Sequence, residues 1–148
     1  MRIDFSNLCL QIRGTFFVLI MILLIFSSMG LAKTKPNRII SISPSLTEIL
    51  FAIGAGSKVI AVDSYSNYPP EAPITNLSAY EPNLEAIASY EPDLVFLSYD
   101  IGDLVKGLNA IGIDTALIPA AKDFDEIISQ IRMVGEITGK KNQAIHLT

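Results

Sequence analysis

Four short apolar runs, separated by segments of helical spacing, limit what this chain can fold into more than any other feature. They are Arg38-Ile-Ile-Ser-Ile42, Val59-Ile-Ala-Val62, Asp93-Leu-Val-Phe-Leu-Ser98 and Asp114-Thr-Ala-Leu-Ile118. Each is too short for a helix and too continuously apolar for a strand wet on one face. Each therefore reads as a strand buried on both sides, the pattern of a parallel sheet. A parallel pair needs a crossover, and the intervening segments supply helices. The expected fold class is α/β, a parallel sheet flanked by helices.

The helix signals are local. After the first run, Ser43 can cap with Pro44 at the first helical position, or Ser45 can cap with Glu48 completing a capping box. Gly54 and Gly56 end that helix. Asn83 is an N-cap for a short helix with Leu84, Ile87 and Ala88 on one face. Ile101, Leu104, Val105, Leu108 and Ile111 follow helical spacing up to Gly112. Asp123 starts another helix with Ile127, Ile128, Ile131 and Val134 on its buried face, interrupted by Gly139. Residues 140–148 begin one more.

Tyr-Glu-Pro occurs twice, at 80–82 and 90–92. The first precedes the Asn83 helix and the second precedes a strand, so the pair is not a structural repeat. Proline marks a boundary in both places, because it disfavours helical backbone in the residue before it.

The N-terminus is separate. Arg2 and Arg13 precede the apolar run of residues 16–26, and Gly30 and Ala32 stand at the −3 and −1 positions of a small-x-small ending. This is the pattern of a secretory signal peptide over residues 1–32, cleaved after Ala32. An uncleaved anchor is the rival, but the run is short of the ~20 residues a spanning helix needs. Cleavage leaves residues 33–148 with nine basic and fourteen acidic side chains, a net charge of −5, and removes the single cysteine, Cys9. The exported product then has no disulfide and no basic patch suited to nucleic acid.

Catalytic chemistry is sparse. His146 is the single histidine, so no Ser-His-Asp or Cys-His arrangement can form, and no metal site with several His or Cys ligands. Gly54-Ala-Gly56 follows a helix, the wrong context for a dinucleotide loop. No catalytic residue and no cofactor are assigned. In open parallel sheets, ligands bind outside the carboxyl ends of the strands. The loops there hold Ser43, Ser45, Tyr65, Tyr68, Ser98 and Tyr99, with Tyr80 nearby. The serines serve as caps or present a helix end to a ligand. The tyrosines either pack over strand ends or offer apolar faces with polar tips to a broad ligand. Glu85 complements a helix dipole or stands out as an acid for a partner's arginine.

Five segments, RIISISPSLTEILFAIGAG, AVDSYSNYPPEA, PNLEAIASYEPDLVFLS, LNAIGIDTALIPA and IISQIRMVGEITGKK, occur in order across residues 37–148. Their order and spacing resemble the periplasmic substrate-binding proteins of ABC importers for vitamin B12 and iron-siderophores. The resemblance implies two α/β lobes joined by a long helix, with ligand held between them. This chain matches the N-terminal lobe, ending at the start of the linking helix. It further implies a monomeric, non-enzymatic, periplasmic receptor for a corrinoid or ferric chelate, siderophore or haem, with an ABC importer permease as partner. Ligand contacts would fall on Ser43, Ser45, Tyr65, Tyr80, Ser98 and Tyr99. Tyr80 stands where the vitamin B12 type can carry tryptophan, although its spacing to Glu85 is about one residue shorter. Glu85 matches the glutamate that docks on the permease. The competing readings are a small exported flavodoxin-like enzyme or signalling module, and a zinc or manganese receptor.

Overall fold

The computed structural model describes residues 34–148, of which Lys35–Thr148 form one compact unit. The signal segment, its cleavage point after Ala32 and Cys9 lie outside the described residues. The elements alternate as the sequence pattern requires: β1 (Ile39–Ile42), α1 (Pro44–Ala52), β2 (Val59–Val62), α2 (Leu84–Ala88), β3 (Leu94–Leu97), α3 (Leu104–Ala110), β4 (Asp114–Leu117), α4 (Phe124–Thr138) and α5 (Lys141–Leu147). A single 3-10 turn, Gly56–Lys58, leads into β2.

The four strands are parallel in the order β2-β1-β3-β4. β1 and β3 are paired without interruption, Ile39 opposite Leu94 through Ile42 opposite Leu97. From β1 the chain moves outward to β2, then returns past β1 to build β3 and β4. The order reverses between β1 and β3, and that is where such sheets open a crevice.

Side chains alternate across the sheet and feed two cores. Ile39, Val62, Leu94 and Phe96 pack with Leu46 and Leu50 of α1, Val134 of α4 and Ala144 of α5. Ile40, Ile42, Val95 and Leu97 pack on the other face with Ile87 of α2 and Leu104 and Leu108 of α3. Burial on both faces is the reason these strands lack polar alternation.

Several expectations need correction. β4 is an edge strand, half-buried along most of its length, with Leu117 exposed. Helix α3 begins at Leu104 rather than near Ile101, because Gly102 and Asp103 take left-handed φ of 62° and 58°. Ile101 consequently lies before the helix, Ile111 is its C-cap residue, and both are exposed. Ile127 also faces solvent, since α4 buries its C-terminal half around Val134, Gly135 and Thr138. Asn83 does cap α2, its side chain accepting the Ala86 N–H at 2.7 Å.

Candidate functional site

The carboxyl ends of β1 and β3 deliver two serines to the crevice. Ser43 follows β1 and Ser98 follows β3, and their hydroxyls lie 2.6 Å apart. Ser43 holds the N-cap position of α1, with Pro44 next, yet its side chain makes no cap bond. Its Oγ is engaged across the sheet with Ser98 and, at 3.3 Å, with Ser45. The capping account of Ser43 fails for that reason. Below it Thr47 Oγ1 donates to Ser41 Oγ at 2.8 Å, and Ser41 Oγ donates to the Ser43 carbonyl at 3.2 Å. This buried hydroxyl ladder fixes the start of α1 against β3.

Residues 63–83 connect β2 to α2 without a helix or strand. Backbone bonds pin the segment nonetheless. Val62 donates to Pro73, Thr75 donates to Val62, and Ser64 donates to Leu77. Thr75 Oγ1 also donates to the Val62 carbonyl at 2.7 Å. These ties bring Tyr80 back over the strand ends. Its ring meets Tyr65 edge-on, centroids 5.5 Å apart, and Tyr99 at 6.2 Å with a 39° tilt. The three rings form one continuous surface, with Tyr65 60%, Tyr80 63% and Tyr99 43% exposed. Tyr68 is equally exposed but stands outside this set of ring contacts. Burial pushes the Tyr99 phenol above its usual value, with Tyr80 and the charge of Asp63 adding to the shift. The phenol therefore remains a hydrogen-bond donor at neutral pH.

Asp63 was not singled out by the sequence, although an acid one residue past a buried strand is a recognisable signal. It is wholly buried. One carboxylate oxygen accepts from Ser66 Oγ, and the other is buried with no hydrogen-bond partner among the described residues. A groove of about 450 Å³ continues from Tyr80 between the starts of α2 and α3, bounded by Glu81, Leu84, Ile101, Asp103 and Leu104. Glu85, in the first turn of α2, is exposed and is not among the residues bounding the groove.

Thus the six sequence-derived ligand residues occupy one end of the sheet: the three serines link the ends of β1 and β3, and the three tyrosines form the surface. Among the described residues no group of three or more His, Cys, Asp and Glu side chains is placed to hold a metal ion, and no helix is long and apolar enough to cross a membrane.

The periplasmic binding protein family model matches residues 39–147. The chain belongs to that family. A vitamin B12-binding protein of Vibrio cholerae is 44% identical over 108 residues, covering 68% of this chain and 38% of the relative. An uncharacterised ABC transporter substrate-binding lipoprotein of Bacillus subtilis is 34% identical over 121 residues, covering 78% of this chain and 38% of its own length. A possible iron-binding periplasmic solute-binding protein of Staphylococcus epidermidis superposes with a TM-score of 0.70 at 28% identity, covering 77% of this chain and 46% of that one. The chain thus spans less than half the length of these proteins and corresponds to roughly one lobe of the solved structures. The family is one of binding proteins rather than enzymes, and its members' names imply export.

Proposed function

We propose that this chain is the ligand-holding N-terminal lobe of an ABC importer's substrate-binding protein, taking a corrinoid or ferric chelate and presenting it to a membrane permease. The observation that carries this reading is the joined surface of Tyr65, Tyr80 and Tyr99 over the β1/β3 reversal. Aromatic faces suit the flat apolar parts of a macrocycle or chelate, while phenol and serine hydroxyls address its polar rim. The protein acts by binding alone, as an exported monomer. Glu85, clear of the ligand surface, is the docking acid for an arginine of the permease.

Absorbance titration with cyanocobalamin and with a ferric hydroxamate tests the reading. Half the contact energy of a nanomolar receptor leaves a Kd on the order of tens of micromolar. Saturable binding in that range supports the proposal, and no spectral change with any chelate at millimolar concentration overturns it. For Glu85, the Glu85→Arg substitution in a receptor carrying both lobes is expected to abolish uptake while ligand affinity stays within about twofold, since rim charges act on association with the partner. Lost ligand binding would remove Glu85 from the docking role.

A further inference from the structure

Charge is divided between the two ends of the sheet. The loops leaving β1, β2 and β3 at their carboxyl ends, residues 43–45, 63–83 and 98–103, carry Asp63, Glu71, Glu81, Asp100 and Asp103 and no Lys, Arg or His. Lysines gather at the amino end, where α4 finishes. Lys35, ahead of β1, donates to the Glu136 carbonyl at 2.5 Å, and its stem lies beside Gly139. Lys58, immediately before β2, donates to the Thr138 carbonyl at 2.9 Å. Lys141 pairs with the Glu136 carboxylate at 2.5 Å, and Lys140 precedes it at the start of α5. The hydrogen bond from Lys141 holds the Glu136 carboxyl below its ordinary value, with the charge of Lys35 adding to the shift. The cluster thus sets four lysines against the carboxylate of Glu136. Glu91, Asp93 and Asp114, also at this end, belong to the turn before β3 and to the start of β4, and Arg38 lies beside the first two.

Cations complement the dipole at a helix C-terminus, and one or two suffice for that. An ammonium carries three N–H groups, so the bonds to α4 leave donors over on the exposed Lys35 and Lys141. The chain also enters the folded unit at this end. Lys35 is nine residues past Phe26, where the apolar run stops, a tether of at most about 30 Å. An export signal or an anchor in that run brings this end to the bilayer. The acidic loops lie beyond strands of four residues, about 13 Å long, more than the ~10 Å over which charges act at 0.1 M salt. The lysines therefore act locally in spite of the net negative charge of residues 33–148.

We propose that Lys35, Lys58, Lys140 and Lys141 form a contact surface for anionic phospholipid headgroups, on which the lobe rests with its tyrosine surface turned away from the bilayer. Each lysine near an anionic leaflet is worth about fivefold in partitioning, so the contact is weak and reversible. The lobe can leave it to meet a permease through the opposite end.

Both cores lie within residues 35–148, so residues 33–148 are tested free of the apolar run. The measurement is co-sedimentation with phosphatidylglycerol vesicles and with phosphatidylcholine vesicles at about 0.1 M salt. Partitioning onto phosphatidylglycerol is expected to be at least about tenfold stronger, and to fall about tenfold or more in Lys140→Gln with Lys141→Gln. Lys35→Gln alone is expected to lose about fivefold. Lys106→Gln with Lys122→Gln removes the same charge from α3 and from the segment after β4, and is expected to leave binding within about twofold. Equal binding to the two lipids, or an equal loss in the two double variants, overturns the proposal. Displacement from the vesicles by millimolar inorganic phosphate at constant ionic strength would reveal a free-anion site and overturns it as well.

Discussion

Tyr80-Glu81-Pro82 and Tyr90-Glu91-Pro92 are the same tripeptide at opposite ends of one sheet. At the amino end the second copy is clasped. Arg38 donates to the Tyr90 carbonyl at 2.5 Å and to the Glu91 carbonyl at 2.8 Å. Asp93, just beyond, accepts the Asn37 and Arg38 N–H groups, each at 2.9 Å. The Tyr90 ring packs against a core. At the carboxyl end only the backbone of the first copy is held, Ser78 Oγ accepting from the N–H groups of Tyr80 and Glu81. The Tyr80 side chain is left outside, against two other exposed tyrosines. At one end of the sheet the second tripeptide is clasped and its ring packed away, and at the other three tyrosine rings stay exposed.

Substitutions can break this contrast. The largest effect is expected from Tyr80→Ala, which removes the middle ring of the surface. Chelate affinity should fall by about tenfold to a hundredfold, as for loss of an aromatic anchor, with thermal stability almost unchanged. Unchanged affinity in the titration would take Tyr80 out of the site. Next comes Arg38→Ala at the other end. Two carbonyls lose their donor, and chemical denaturation should report a loss of about 1–2 kcal/mol, with chelate affinity intact. A loss of affinity there would show that the two ends are not independent. The smallest effect sharpens the comparison. Glu91 holds a φ of 50°, which only glycine adopts without strain. Glu91→Gly should stabilise the chain by about 0.5–1 kcal/mol and leave binding alone.

Much of this was legible in the sequence because it depends on neighbours in the chain. β1, β2 and β3 are continuous apolar runs, and Asn83 and Asp123 cap helices through contacts three residues away. The placement of Tyr65, Tyr80 and Tyr99 at one end follows from where strands stop. Other features depend on distant pairings. Ser43 looks like a cap because Pro44 follows it, but Ser98, 55 residues away, takes its hydroxyl. β4 is half-buried where β2, the other edge strand, is mostly buried, a difference that its own residues do not reveal. Ile127 matches the helical stripe of α4, yet this helix is covered only toward its C-terminus. Asp63 resembles the first residue of a polar loop, and its burial is created by the return of residues 73–77 alongside β2.

The most direct test of where the ligand sits is amide chemical-shift mapping of the purified chain as cyanocobalamin or a ferric hydroxamate is added. Shifts or broadening concentrated in residues 43–45, 63–83 and 98–103, with residues 37–38 and 90–93 silent, is the predicted result. Perturbation centred on the Arg38–Asp93 clasp, with the tyrosine loops silent, would contradict the assignment of the binding surface to the carboxyl end of the sheet.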